Sequence, residues 1–82
     1  MDHQNSISLT ELSVDNQATI LAFTNGIGQM ETTRLASLGF TPGAEVNMTQ
    51  NFGRGPLIVT VRGTRVALGR VEAAKIFVER KS

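Results

Sequence analysis

Residues 29–43, QMETTRLASLGFTPG, decide how the rest of the chain is read. At 100° per residue, Ile27, Met30, Leu35 and Leu38 gather on one side of a helix while Thr32, Thr33, Ala36 and Ser37 spread over the remainder. This is a single apolar stripe on a helix too short to stand alone, so it must lie against something else. Gly39 suits the left-handed residue that closes a helix, Phe40 follows where an apolar contact back onto the last turn is expected, and Pro42 forbids continuation. Thr41-Pro42-Gly43 then places Pro second and Gly third in a type II turn, which hands the chain to a strand.

Outward from this helix the chain breaks into short pieces. Residues 1–6 read as a disordered lead-in. Residues 7–12 read as a short plug on the core, since Leu9 and Leu12 stand one helical turn apart. Val14-Asp15-Asn16-Gln17 is a turn, because Asp and Asn bond their own backbone and tolerate unusual dihedrals. Residues 18–24, ATILAFT, have the β-branched and aromatic content of a strand. The Gly-x-Gly at Gly26-Ile27-Gly28 invites a phosphate-binding reading. However, the third small residue of a dinucleotide fingerprint is replaced by Glu31 and no Gly-Lys-Ser/Thr occurs, so a plain strand-to-helix connection is favoured.

After the helix, residues 44–50 alternate, with Val46 and Met48 on one face and Glu45, Asn47 and Thr49 on the other. Residues 51–56 form a breaker cluster, and residues 57–62 resume alternation. Gly63-Thr64 reads as a two-residue hairpin turn of the Gly-first, type II′ kind, leading into a strand at 65–68. Residues 69–75 read as a turn of helix carrying Val71, Ala74 and the stem of Lys75. A last strand covers 76–79, and 80–82 are a tail. Five short strands joined mostly by tight turns predict a mainly β fold, a small barrel or strongly bent sheet, as one domain over 7–79. One α-helix is expected between the first and second strands, with short helical turns near the N-terminus and before the last strand.

The 82 residues suffice for one modest core, and 40% hydrophobic content with a net charge of +1 describes a soluble globular domain. No apolar run approaches the ~18 residues of a membrane span, and the N-terminus lacks the regions of a secretory signal, so a cytoplasmic location is expected. The absence of Cys agrees with that compartment and excludes thiolate chemistry and Cys-based metal sites. The lone His3 sits in the polar lead-in, which leaves no Ser/His/Asp set. Glu11, Asp15, Glu31, Glu45, Glu72 and Glu79 are dispersed. We therefore expect no enzyme, no resident cofactor and no metal cage.

Charge placement says more. No acid lies between Glu45 and Glu72, yet Arg54, Arg62, Arg65 and Arg70 do, and Arg62 and Arg65 flank the hairpin turn. Arginine without lysine favours bidentate contact with carboxylate or phosphate. The alternative is a solvated face compensated by Glu45, Glu72 and Glu79. Phe52, beside Arg54 in a Gly-rich loop, is either an exposed aromatic or a core residue at a strand end. Arg34 lies only about 40° from Leu38, inside the apolar stripe. It can snorkel at the rim, bond to carbonyls or Glu31, or be held for a partner.

With these pieces in order, the chain resembles the FeoA family, small cytoplasmic accessory proteins of bacterial ferrous-iron transport. The most specific parts are Arg34-Leu35 with Leu38-Gly39-Phe40-Thr41-Pro42-Gly43, and Val61-Arg62-Gly63 with Ala67-Leu68. The resemblance covers residues 9 to about 78. Val14-Asp15-Asn16 stands where a Lys-Pro-Gly-like turn occurs in the family, and Glu31-Thr32-Thr33 where members are often more basic. The resemblance implies an SH3-like barrel, a module also found at the C-terminus of iron-dependent repressors. It also implies docking onto the cytoplasmic part of the FeoB membrane transporter, with its G domain and iron pathway. Arg34, Phe52, Arg54, Arg62 and Arg65 are the expected partner-binding residues, and the sequence leaves self-association through an exposed strand edge open. The rival reading is a nucleic-acid-binding or transcription-regulator SH3-like domain. It is disfavoured by the low net charge and the lack of a helix-turn-helix.

Overall fold

The computed structural model describes residues 6–81. The expected lead-in therefore lies, except for Ser6, outside the described residues, as does Ser82 of the tail. The strands are β1 (Ser6–Ser8), β2 (Gln17–Phe23), β3 (Glu45–Gln50), β4 (Leu57–Val61), β5 (Thr64–Leu68) and β6 (Ile76–Arg80). The helices are α1 (Gln29–Ser37) and the single turn α2 (Arg70–Ala73), and a 3-10 turn covers Leu9–Glu11. All strands join one antiparallel six-stranded sheet in the order β1-β6-β2-β3-β4-β5. The fold is mainly β with one substantial helix, as the sequence predicts.

Two features differ from that expectation. Ser6–Ser8 forms a sixth strand by pairing with β6, so α1 follows the second strand and not the first. A three-residue strand has no periodicity to read, and only its partner reveals it. The hydrogen-bonded order is also linear, with β1 and β5 as its two ends, so hydrogen bonding does not close the sheet into a barrel.

Alternation places the core on one face of the sheet. Val46 and Met48 of β3, Leu57, Val59 and Val61 of β4, and Val66 and Leu68 of β5 are buried, joined by Ala18, Ile20, Ile76 and Val78. Leu9 and Leu12 are fully buried as the expected plug, and Ser8 caps their 3-10 turn by accepting from Thr10 N–H at 3.2 Å. Bulges at Leu21 and Thr49 break the β2–β6 and β3–β4 registers and bend the sheet there.

The exit from α1 follows the sequence reading. Phe40 N–H donates to Leu35 C=O and Gly39 N–H to Ala36 C=O, both at 2.9 Å, which is a Schellman motif with Gly39 at φ +105°. Leu35 and Phe40 are both fully buried, so the motif's apolar contact faces the core. Ala44 N–H closes the type II turn onto Thr41 C=O at 3.0 Å, with Gly43 at φ +92°. The predicted apolar stripe is narrower than expected: Leu35 is buried and Leu38 half-buried, but Met30 is 88% exposed. Met30 lies in the first turn of α1 and points away from the core, which at this end of the helix is met by Ile27. Likewise α2 buries Ala73 and not Val71, which is 77% exposed, or Ala74.

Candidate functional site

The β4–β5 hairpin corrects the predicted turn. Val61 pairs with Thr64, so the two loop residues are Arg62 and Gly63, not Gly63 and Thr64. Both have positive φ, +51° and +78°, which makes this a type I′ turn in place of the expected type II′. Gly63 fits either type. The register of inward Val61 against Thr64 selects between them, at the expense of placing an arginine where Asn or Gly is favoured.

That backbone directs the Arg62 side chain back across the end of α1. Its Nη2 donates to Thr41 Oγ1 at 2.9 Å. A Cβ at Gly39 would lie 3.2 Å from Arg62 Cδ and 3.4 Å from Val61 Cγ2, so the glycine is needed for close approach as well as for its φ. One strained arginine thus spans the helix exit, the type II turn and the hairpin tip. Arg65 follows on the outer face, opposite Thr60, which itself faces Asn47 and then Gln17 across the sheet. This row carries no acid.

The other predicted residues lie elsewhere. Arg54 is exposed between Gly53 and Gly55, both at positive φ, beyond the far end of β4 from the hairpin tip. At ~3.4 Å per residue, β4 keeps the two ends more than ~13 Å apart. Phe52, beside Arg54, is 77% exposed and is not a core residue. Arg34 pairs with Glu72 of α2, not with Glu31, and Glu31 instead accepts from Lys75 Nζ at 3.0 Å. The two pairs tie α1 to the α2 turn. Arg34 also borders, with Gln29, Met30 and Thr33, a shallow depression on α1's outer surface. The structure therefore brings Arg62 and Arg65 together at one tip, sets Phe52 and Arg54 in one loop at the other, and places Arg34 on the helix side.

Counter-charges are the deciding electrostatic feature. Glu72 is engaged by Arg34 and Glu45 by Lys81 Nζ at 2.6 Å. Among the described residues, Arg54, Arg62 and Arg65 have no ion-pair partner. Surface pairs contribute little to stability, but here they settle which cations remain available.

One residue absent from the sequence reading organises the second loop. Asn51 Nδ2 donates to Thr10 C=O and Leu12 C=O, both at 3.0 Å. Its Oδ1 accepts from Gly53 N–H at 3.1 Å and from Arg70 Nη2. Asn51 stitches the N-terminal plug, the β3–β4 loop and α2 together, and so holds Phe52 outward. Its sequence signal, an Asn opening a Gly-rich breaker, does not distinguish it from any loop Asn. Among the described residues, no group of three or more His, Cys, Asp or Glu could hold a metal ion, and no helix is long and apolar enough to cross a membrane.

The FeoA domain model matches residues 7–80 of this chain. The chain belongs to the FeoA family. A Methanocaldococcus jannaschii relative named for Fe(2+) transport is 39% identical over 54 residues, 66% of this chain and 62% of that protein. The matched segment thus spans less than two thirds of that relative. The crystal structure of an iron uptake regulatory protein, FeoA, superposes with a TM-score of 0.85 at 26% identity, covering 93% of this chain and 99% of the other. Zinc-complexed FeoA of Stenotrophomonas maltophilia, described as an SH3 domain protein, gives 0.78 at 33% identity over 89% of each chain. A manganese-dependent transcriptional repressor matches with a TM-score of 0.83 at 17% identity, covering 93% of this chain and 42% of its own, which is a likeness of fold alone. The SH3-like expectation thus stands for this FeoA-family chain, whose strained hairpin and exposed arginines belong to the matched region.

Proposed function

We propose that this chain is an adapter of ferrous-iron uptake that docks from the cytoplasmic side onto an FeoB-type membrane transporter and biases its conformational state. It supplies no chemistry of its own. Family membership and the relative named for Fe(2+) transport support the iron-uptake context. The single observation that carries a docking role is the absence of counter-charge at the hairpin tip. Glu45, next to the Val46 that pairs with Val61 beside the tip, is bound to Lys81; Glu72 lies past the opposite end of β5 and is bound to Arg34; and among the described residues Glu79 forms no ion pair with either arginine. Arg62 is held there in a conformation that costs folding energy, as residues kept for recognition often are. Arginine at an interface centre is also a frequent source of binding energy. Phe52 and Arg54, with Arg34, form the flanking contacts of this reading.

The test is co-purification of the chain with FeoB-type transporter from membranes. The double reversal Arg62→Glu/Arg65→Glu is expected to weaken capture at least about tenfold, since like charges placed against an acidic partner surface repel. Unchanged capture would refute the surface assignment. A salt-titrated mobility shift on DNA or RNA separates the rival reading, because phosphate contacts weaken steeply with salt.

A further inference from the structure

We infer that the free edge of β5 is a docking strand that pairs, main chain to main chain, with an extended acidic segment of the partner. This inference rests on the adapter reading and specifies how the arginine surface engages. In a two-residue hairpin the flanking residues Val61 and Thr64 exchange both backbone bonds, and bonded pairs then alternate along the ladder. The β4–β5 register continues without a bulge through Thr60↔Arg65, Val59↔Val66, Ile58↔Ala67 and Leu57↔Leu68. The N–H and C=O of Thr64, Val66 and Leu68 therefore point to β4, and those of Arg65 and Ala67 point away from the sheet. β5 is the last strand of the sheet order, and among the described residues neither Arg65 nor Ala67 makes a backbone bond to another element. Both are exposed.

Edges of this kind are usually blunted by proline, a bulge, shortness or cover. Among the described residues, β1 at the opposite end spans three. β5 has five residues, no Pro, no internal Gly and no bulge. Its one guard is Arg65, and that guard selects the occupant. A second copy pairing antiparallel about Val66 would bring the two Arg65 side chains onto one face as diagonal neighbours, ~7–8 Å apart at Cα. The like charges disfavour that dimer, whereas an acid opposite Arg65, with another reaching Arg62, is favoured. Strand addition supplies main-chain affinity, and the arginines supply register and choice of partner.

The test follows amide hydrogen exchange in the full chain, with a capped synthetic peptide alternating Glu and Val as probe. Free in solution, the Arg65 and Ala67 amides exchange rapidly while those of Val66 and Leu68 are protected. Saturating peptide is expected to slow Arg65 and Ala67 at least about tenfold, and a Lys-for-Glu version of the peptide is not. Ala67→Pro removes one outward donor without touching the β4 ladder, a change edge strands tolerate, and is expected to abolish the Arg65 protection. Ala67→Thr, with its N–H intact, is expected to keep it. Three results would overturn the inference. One is no peptide effect on either amide. Another is binding that perturbs the Arg62 and Arg65 side chains while both amides stay fast, which rejects strand pairing and leaves the adapter reading standing. The last is protection that grows with protein concentration alone, which assigns the edge to a second copy. Loss of transporter capture is read separately with the Arg62/Arg65 reversal, so failure of the strand pairing and failure of the adapter reading give different results.

Discussion

Arg62 lies across Gly39, with its Cδ only 3.2 Å from where a Cβ on that glycine would sit, and the same glycine closes α1 at φ +105°. Helix exit and hairpin tip are therefore one structural unit built from two residues far apart in sequence. Gly39→Ala is expected to destabilise the chain by about 1–3 kcal/mol, measured by urea denaturation, from backbone strain plus contact. Trimming the contact with Arg62→Ala in the same chain should recover only part of that loss. Full recovery would mean that the dihedral contributes nothing.

Under the docking proposal, the strain at Arg62 separates recognition from folding. Asn at the first central position of a type I′ turn before Gly is preferred. Arg62→Asn is therefore expected to keep or raise stability by up to about 1 kcal/mol while weakening transporter capture. A substantial loss of stability would show that the bond to Thr41 outweighs the strain.

Asn51 holds two carbonyls, a loop N–H and the Arg70 guanidinium. Asn51→Ala is expected to cost about 1–3 kcal/mol by leaving half-buried groups unpaired. Asn51→Asp should cost at least as much, because it turns an oxygen toward Thr10 and Leu12 C=O. Thermal melts of both variants check the order.

Helix α1 offers a paired control. Leu35→Ala should lose about 2–5 kcal/mol, since the side chain is fully buried. Met30→Ala, five residues earlier on the predicted stripe, should change stability by less than about 0.5 kcal/mol. Comparable losses would mean that the first turn of α1 packs more closely than its exposure indicates.

The ion pairs joining α1 to the α2 turn are exposed enough to be screened. Glu72→Gln is expected to cost less than about 1 kcal/mol at low salt, with the difference fading as salt is raised. A large, salt-independent loss would show that the pair is needed to dock the two helices.

Much of this architecture is written in local patterns. The Gly39 exit, the Pro42-Gly43 turn and the alternation of β3 and β4 each depend on a few adjacent residues whose dihedrals or faces have few alternatives. Met30 departs from the expected stripe because periodicity reports which residues share a face of a helix, not how much of that face is covered. The turn is type I′ and not II′ because Gly63 satisfies both types, and only the pairing of Val61 with Thr64 selects one. The basic surface was legible as composition, but its division between two ends of β4 was not.

The amino-acid sequence by itself determined the elements other than β1, the burial alternation of the strands, the helix stop and the family, because these follow from short-range sterics and from residue order. Tertiary structure alone decided that Arg62 crosses Gly39, that Asn51 gathers three segments, that Glu45 and Glu72 are occupied elsewhere, and that β5 is left with an open edge. Each of these is a meeting of residues distant along the chain, set by strand register and by the competition among partners for the same few charges.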